Sequence, residues 1–83
     1  MNKVLVKMYV PIIEQQYDIW LPLNKRIYNV IILVTKAINE FTDGNYMPEK
    51  IPILYDKLTA IPYDVNLRVV DTNIRNGTEL ILI

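Results

Sequence analysis

The sequence predicts an α+β domain in which one helix lies across one face of a mixed sheet of four to five strands. Three observations carry that prediction. Residues 3–10 and 16–21 alternate side-chain character with the two-residue period of a strand. Residues 25–41 change to helical spacing, and residues 79–83 return to a short strand-like run behind an Asn-Gly pair. A single helix cannot enclose that many strands from both sides, so it must cover one of them.

In the first strand Val4, Val6, Met8 and Val10 share one face, and Lys3, Leu5, Lys7 and Tyr9 share the other. Pro11 ends the run or places it near an edge, because proline cannot donate to a ladder. In the second strand Tyr17, Ile19 and Leu21 oppose Gln16, Asp18 and Trp20. Residues 11–15 read as a hairpin connection without a tight-turn signal. Asn24 is suited to cap a helix that starts at Lys25. From there to Phe41, the residues Ile27, Val30, Ile31, Val34, Ala37, Ile38 and Phe41 fall within an arc of roughly 120°. Their β-branched content disfavours an isolated helix, so tertiary packing has to hold it. Gly44, after Thr42-Asp43, suits a left-handed cap. Residues 45–51 read as a loop, Ile53-Leu54-Tyr55 as a short strand, and residues 57–68 as irregular. Asn76-Gly77 favours a tight turn, and Glu79–Ile83 forms the last strand. No repeat or linker divides the chain, and 83 residues suit one domain, residues 1–83.

Composition removes whole classes of chemistry. The chain has no cysteine and no histidine, which leaves no disulfide, thiolate nucleophile, usual zinc site or imidazole base. Its two glycines cannot build a phosphate loop. Asp18, Glu40, Asp56, Asp64, Asp71 and Glu79 show no catalytic spacing, and Asp71 is expected in a turn or cap hydrogen bond. The chain is therefore not expected to be an enzyme, and no catalytic residue, cofactor or metal is assigned. Nine basic residues balance nine acidic ones. Without a basic stripe to neutralise phosphates, no nucleic acid is expected as a ligand. Lys25-Arg26, the only adjacent basic pair, reads as a solvated helix start. The longest apolar run, residues 30–34, is too short to cross a bilayer. Lys7 interrupts the first apolar stretch too early for a signal peptide, so no direct membrane insertion is expected. A cysteine-free chain fits a reducing cytoplasm.

The order strand, strand, helix, strand, irregular segment, strand resembles the β-grasp of ubiquitin. Val69-Val70-Asp71-Thr72-Asn73-Ile74, followed after five residues by Leu80-Ile81-Leu82, is similar to ubiquitin's run into its last strand. Ile27-Tyr28-Asn29-Val30 resembles the helix start, and Val6-Lys7 the first strand. Within that superfamily the chain looks most like the YukD-type (EsaB-type) proteins, small ubiquitin-like domains encoded with type VII secretion systems of Gram-positive bacteria. The shared features are the size, a first strand almost at the N-terminus, and an Asn-Gly turn before a final Leu-x-Leu. The resemblance implies a cytoplasmic accessory or regulatory component of such a WXG100 system, with secretion-system components as partners. Modifiers and sulfur carriers of this fold need a flexible Gly-Gly tail. The sequence instead stops at Leu80-Ile81-Leu82-Ile83, so neither activity is expected. A regulatory nucleic-acid-binding β-grasp protein is disfavoured by the neutral charge.

Alternation leaves surplus apolar surface. If Val4, Val6, Met8, Ile53, Tyr55, Leu80 and Leu82 face the helix, then Leu5, Trp20, Leu54, Ile81 and Ile83 face away from it. The first and last strands of a ubiquitin-like sheet are neighbours. Leu5, Leu54, Ile81 and Ile83 are then expected to form one contiguous patch, with Trp20 toward an edge, in a location resembling the patch through which ubiquitin is recognised. A protein partner or a second copy is expected to cover it.

Overall fold

The first two strands realise their alternation from end to end. The computed structural model describes residues 2–83. In it β1 (Lys3–Val10) and β2 (Gln15–Pro22) pair antiparallel, from Lys3 opposite Pro22 to Val10 opposite Gln15. Between them Pro11–Ile13 tighten into one 3-10 turn, and Glu14 takes a left-handed conformation (φ 52°).

The helix, α1 (Ile27–Phe41), begins two residues later than the spacing predicts, and Asn24 does not cap it. The N–H groups of Ile27 and Tyr28 donate instead to the carbonyls of Leu67 and Val65, at 2.8 and 3.1 Å. A distant loop thus satisfies donors that a local side chain would otherwise have to meet. Ile27, Val30, Ile31, Val34 and Ile38 are each at most 3% exposed. Phe41 belongs to the same arc by spacing, yet it is exposed. The helix ends there, and its ring meets Tyr17 of β2 with centroids 5.4 Å apart. Gly44 (φ 85°) closes the helix as expected, its N–H reaching the Asn39 carbonyl at 2.8 Å.

Two short strands, β3 (Leu54–Asp56) and β4 (Glu79–Leu82), complete a sheet of order β2-β1-β4-β3. β4 runs parallel to β1, with Lys7 opposite Glu79 and Tyr9 opposite Ile81. At the Asn76-Gly77 turn Gly77 has φ 86° and donates to the Leu5 carbonyl at 2.8 Å. The Asn76 side chain accepts the Leu5 N–H at 2.9 Å, so it continues the ladder before β4 begins. A further edge is a single bridge between Tyr55 and Pro62, where a missing N–H costs little. First and last strands parallel and adjacent at the centre, with one helix packed on a mixed four-stranded sheet, make this a ubiquitin-like β-grasp. Val4, Val6, Met8, Val10, Leu21, Leu54, Leu80 and Leu82, none more than 7% exposed, form one core cluster with the helix.

The phase of β3 is the reverse of the sequence expectation. Leu54 lies opposite Leu82 and Asp56 opposite Leu80, so Leu54 and Asp56 share the helix-facing side of the sheet. Leu54 is 1% exposed, and Ile53 and Tyr55 take the outward positions. A one-residue change of phase moves every side chain to the other face, and a three-residue strand is too short to reveal its phase by alternation. Its partner β4 sets it.

Inward-facing Asp56 is the one buried charged residue among those described. One carboxylate oxygen accepts the Leu58 N–H at 2.9 Å, and the other accepts the Asn73 amide at 3.2 Å. The Tyr63 hydroxyl lies 3.4 Å from that second oxygen and donates to Asn73 Oδ1 at 2.7 Å. The Leu58 N–H, ahead of the other donors, holds the Asp56 carboxyl below its ordinary range against the opposing effect of burial. Burial, and then the neighbouring carboxylate, push the Tyr63 phenol up to about 12. Because the Asp56 pKa is lower folded than unfolded, its contribution is present above the unfolded value. It is lost as pH falls through the folded one, below about pH 4. Asp56→Asn is expected to lower Tm at neutral pH and to narrow the difference from wild type in acid, as read by thermal melts across that range.

Candidate protein-binding surface

Strand register sorts the outer face of the sheet into rows. Trp20 lies opposite Leu5, and Asp18 opposite Lys7, which in turn faces Glu79. Tyr9 lies opposite Ile81, and Ile81 opposite Tyr55. Beyond them Ile53 and Ile83 exchange both backbone hydrogen bonds, at 2.8 and 3.0 Å, extending the β3–β4 ladder by one pair. The Lys57 ammonium sits 5.4 Å from the Tyr9 ring centroid, so a cation rests on the aromatic row.

This geometry brings together only part of the expected patch. Ile81 and Ile83 share a continuous apolar area with Tyr9, Tyr55 and Ile53, where Ile83 is 65% and Ile53 49% exposed. Leu5 and Trp20 form a separate pair. The row of Asp18, Lys7 and Glu79 lies between the two areas, so they are not contiguous. Leu54 belongs to neither, for it is in the core. The Ile83 end of the larger area opens into an apolar cavity of about 330 Å³ lined by Ile12, Ile13, Tyr46, Met47, Leu82 and Ile83. Ile12 and Met47 protrude at its mouth, 81% and 78% exposed. Sequence reasoning missed both because they stand in connections with no period. Their only signal is a large apolar side chain in a loop.

The described residues hold no group of three or more His, Cys, Asp or Glu that could bind a metal ion. No helix among them is long and apolar enough to cross a membrane. The surface offers apolar contact area with a few charges around it, which is the chemistry of docking.

No protein-family model matches the chain, and a search of the curated proteins finds no match. Solved structures do match in fold. The ubiquitin-like domain of the Mycobacterium tuberculosis type VII secretion protein EccD1 superposes with a TM-score of 0.79 at 13% identity, covering 100% of this chain and 99% of that one. The EccD5 ubiquitin-like domain from Mycobacterium xenopi gives 0.82 at 17% identity, covering 100% and 94%. A chain of the ESX-5 inner membrane complex gives 0.80 at 15% identity, covering 100% of this chain but 21% of that longer one. The chain therefore has the ubiquitin-like β-grasp fold found in these type VII secretion proteins.

Proposed function

We propose that this chain is a non-catalytic protein-binding module, an accessory or regulatory component of a Gram-positive type VII (WXG100) secretion system. It works on the cytoplasmic side and docks a protein component of that apparatus on the outer face of its sheet. The observation that supports this reading is the apolar area of Tyr9, Tyr55, Ile81, Ile53 and Ile83, with Leu5 and Trp20 as a secondary contact. Monomeric proteins rarely leave such an area bare. Burying about 300 Å² of it at about 25 cal/mol/Å² supplies roughly 7–8 kcal/mol of gross driving force. Association costs of about 4–15 kcal/mol consume much of that, so the partner interface must be larger than this area alone. The relatives in fold include a chain of a type VII membrane complex, and that points to the class of partner.

Ile81→Lys and Ile83→Lys test the proposal. Each is expected to keep Tm within a few degrees of wild type, because outward sheet positions tolerate charge. Each is expected to weaken binding to the cytoplasm-facing part of the membrane complex at least tenfold, measured by biolayer interferometry. Folded variants that bind as wild type does would place the interface elsewhere.

A further inference from the structure

β2 forms one edge of the four-stranded sheet, apart from the outer face. Leu23 donates to the Asn2 carbonyl at 2.7 Å, which makes Asn2–Leu23 a hydrogen-bonded pair of the β1–β2 ladder. Counting along the register by twos, Val4–Leu21, Val6–Ile19 and Met8–Tyr17 are the other such pairs. The backbone groups of Gln16, Asp18 and Trp20 therefore point away from β1, toward an edge that no strand among the described residues occupies. Natural edges are blunted by charged side chains, lysine above all, and by prolines, bulges or inward-pointing charges. The one charge on this edge is Asp18, on the outer face. Across Gln15–Pro22 the edge has no lysine, its only proline is the last residue, and its register is unbroken. On the helix side of the edge runs an apolar groove of about 200 Å³ lined by Ile19, Leu21, Leu33 and Ala37, with Leu33 half exposed.

We infer that β2 pairs antiparallel with β2 of a second copy of this chain, about a two-fold axis that passes between their Ile19 residues. Self-complementarity selects this occupant and this register. With the axis at Ile19, Asp18 lies opposite the partner copy's Trp20 and Gln16 opposite its Pro22 on the outer face. Ile19 meets Ile19, and Tyr17 meets Leu21, on the helix side. Moving the axis to Asp18 sets two carboxylates directly opposite each other, which is destabilising. Moving it to Tyr17 or Trp20 shortens the overlap within Gln15–Pro22 and so loses backbone hydrogen bonds. The chain carries zero net charge, so copies do not repel at long range. Such a two-fold axis stands perpendicular to the sheet. The eight-stranded sheet then presents both outer faces on one side, and a partner with two sites gains avidity.

The absence of cysteine makes the register directly testable. Facing residues of a pair not bonded through the backbone lie about 4.5 Å apart at Cα, within the roughly 4.4–6.8 Å a disulfide needs. Ile19→Cys should therefore give a covalent dimer under mild oxidation. Tyr17→Cys, whose counterpart lies more than about 10 Å away along the strand, should not. Sedimentation equilibrium of the full chain should show twice the monomer mass, with dimerisation weakened at least tenfold by Leu33→Glu on the half-exposed groove wall. Circular dichroism confirms that each variant is folded. The inference is overturned if the wild-type chain stays monomeric at millimolar concentration, or if Tyr17→Cys crosslinks as readily as Ile19→Cys. It is equally overturned by a dimer indifferent to Leu33→Glu.

Discussion

Leu80→Asp is expected to leave no folded protein. Leu80 is fully buried at the centre of β4, opposite Met8 of β1 and Asp56 of β3. Removing the leucine side chain alone costs about 2–5 kcal/mol. A carboxylate there gains no cation: the ion pair among the described residues joins Arg68 and Asp71, both partly exposed to solvent. Desolvating an unpaired charge adds several kcal/mol more, or forces the group to stay protonated. At roughly 0.05–0.15 kcal/mol per residue, a chain of this length has only about 4–12 kcal/mol of stability to lose. Circular dichroism at neutral pH should show loss of the cooperative melt. A soluble variant with a sharp transition would mean that β4 faces the other way.

Leu54→Glu should be nearly as damaging, and it separates two readings of β3 that the sequence leaves open. Alternation counted from Tyr55 puts Leu54 on the surface, where glutamate would be tolerated. The pairing of Leu54 with Leu82 puts it under the helix at 1% exposure. The expected result is an unfolded or aggregating protein, while Tyr55→Lys, one residue along, retains a cooperative melt within about 1 kcal/mol of wild type. The reverse outcome would restore Leu54 to the outer face and return Tyr55 to the core.

Much of the fold is legible where an element is long enough to show its period. Eight residues each in β1 and β2 and fifteen in α1 repeat their patterns several times, so Val4, Val6, Met8, Val30, Ile31 and Val34 could be placed inside without coordinates. Gly44 and Gly77 are legible for another reason, since their positive φ values have a local chemical signature. What the sequence hides is what distant partners decide. The helix begins at Ile27 because Leu67 and Val65 supply its acceptors, and Leu54 points inward because β4 sets its register. Tyr46 is 4% exposed although it stands in a loop, with its carbonyl accepting the Asn39 amide at 2.7 Å. Asp56 reads as one carboxylate among many until Leu58, Tyr63 and Asn73 close around it. The candidate surface is legible in the same measure. Ile81 and Ile83 follow from the alternation of β4, but the charged row that separates Leu5 and Trp20 from them emerges only from the pairing of three strands.

The outer face of the sheet as the docking surface is the central claim, and site-specific photo-crosslinking in the producing cell tests it most directly. A benzophenone amino acid placed at Ile83, on the outer apolar area, should give an adduct containing a type VII secretion component, identified by mass spectrometry. The same probe at Tyr28, exposed on the helix, should give none. Adducts from Tyr28 with none from Ile83 would contradict the claim and move the interface to the helix side.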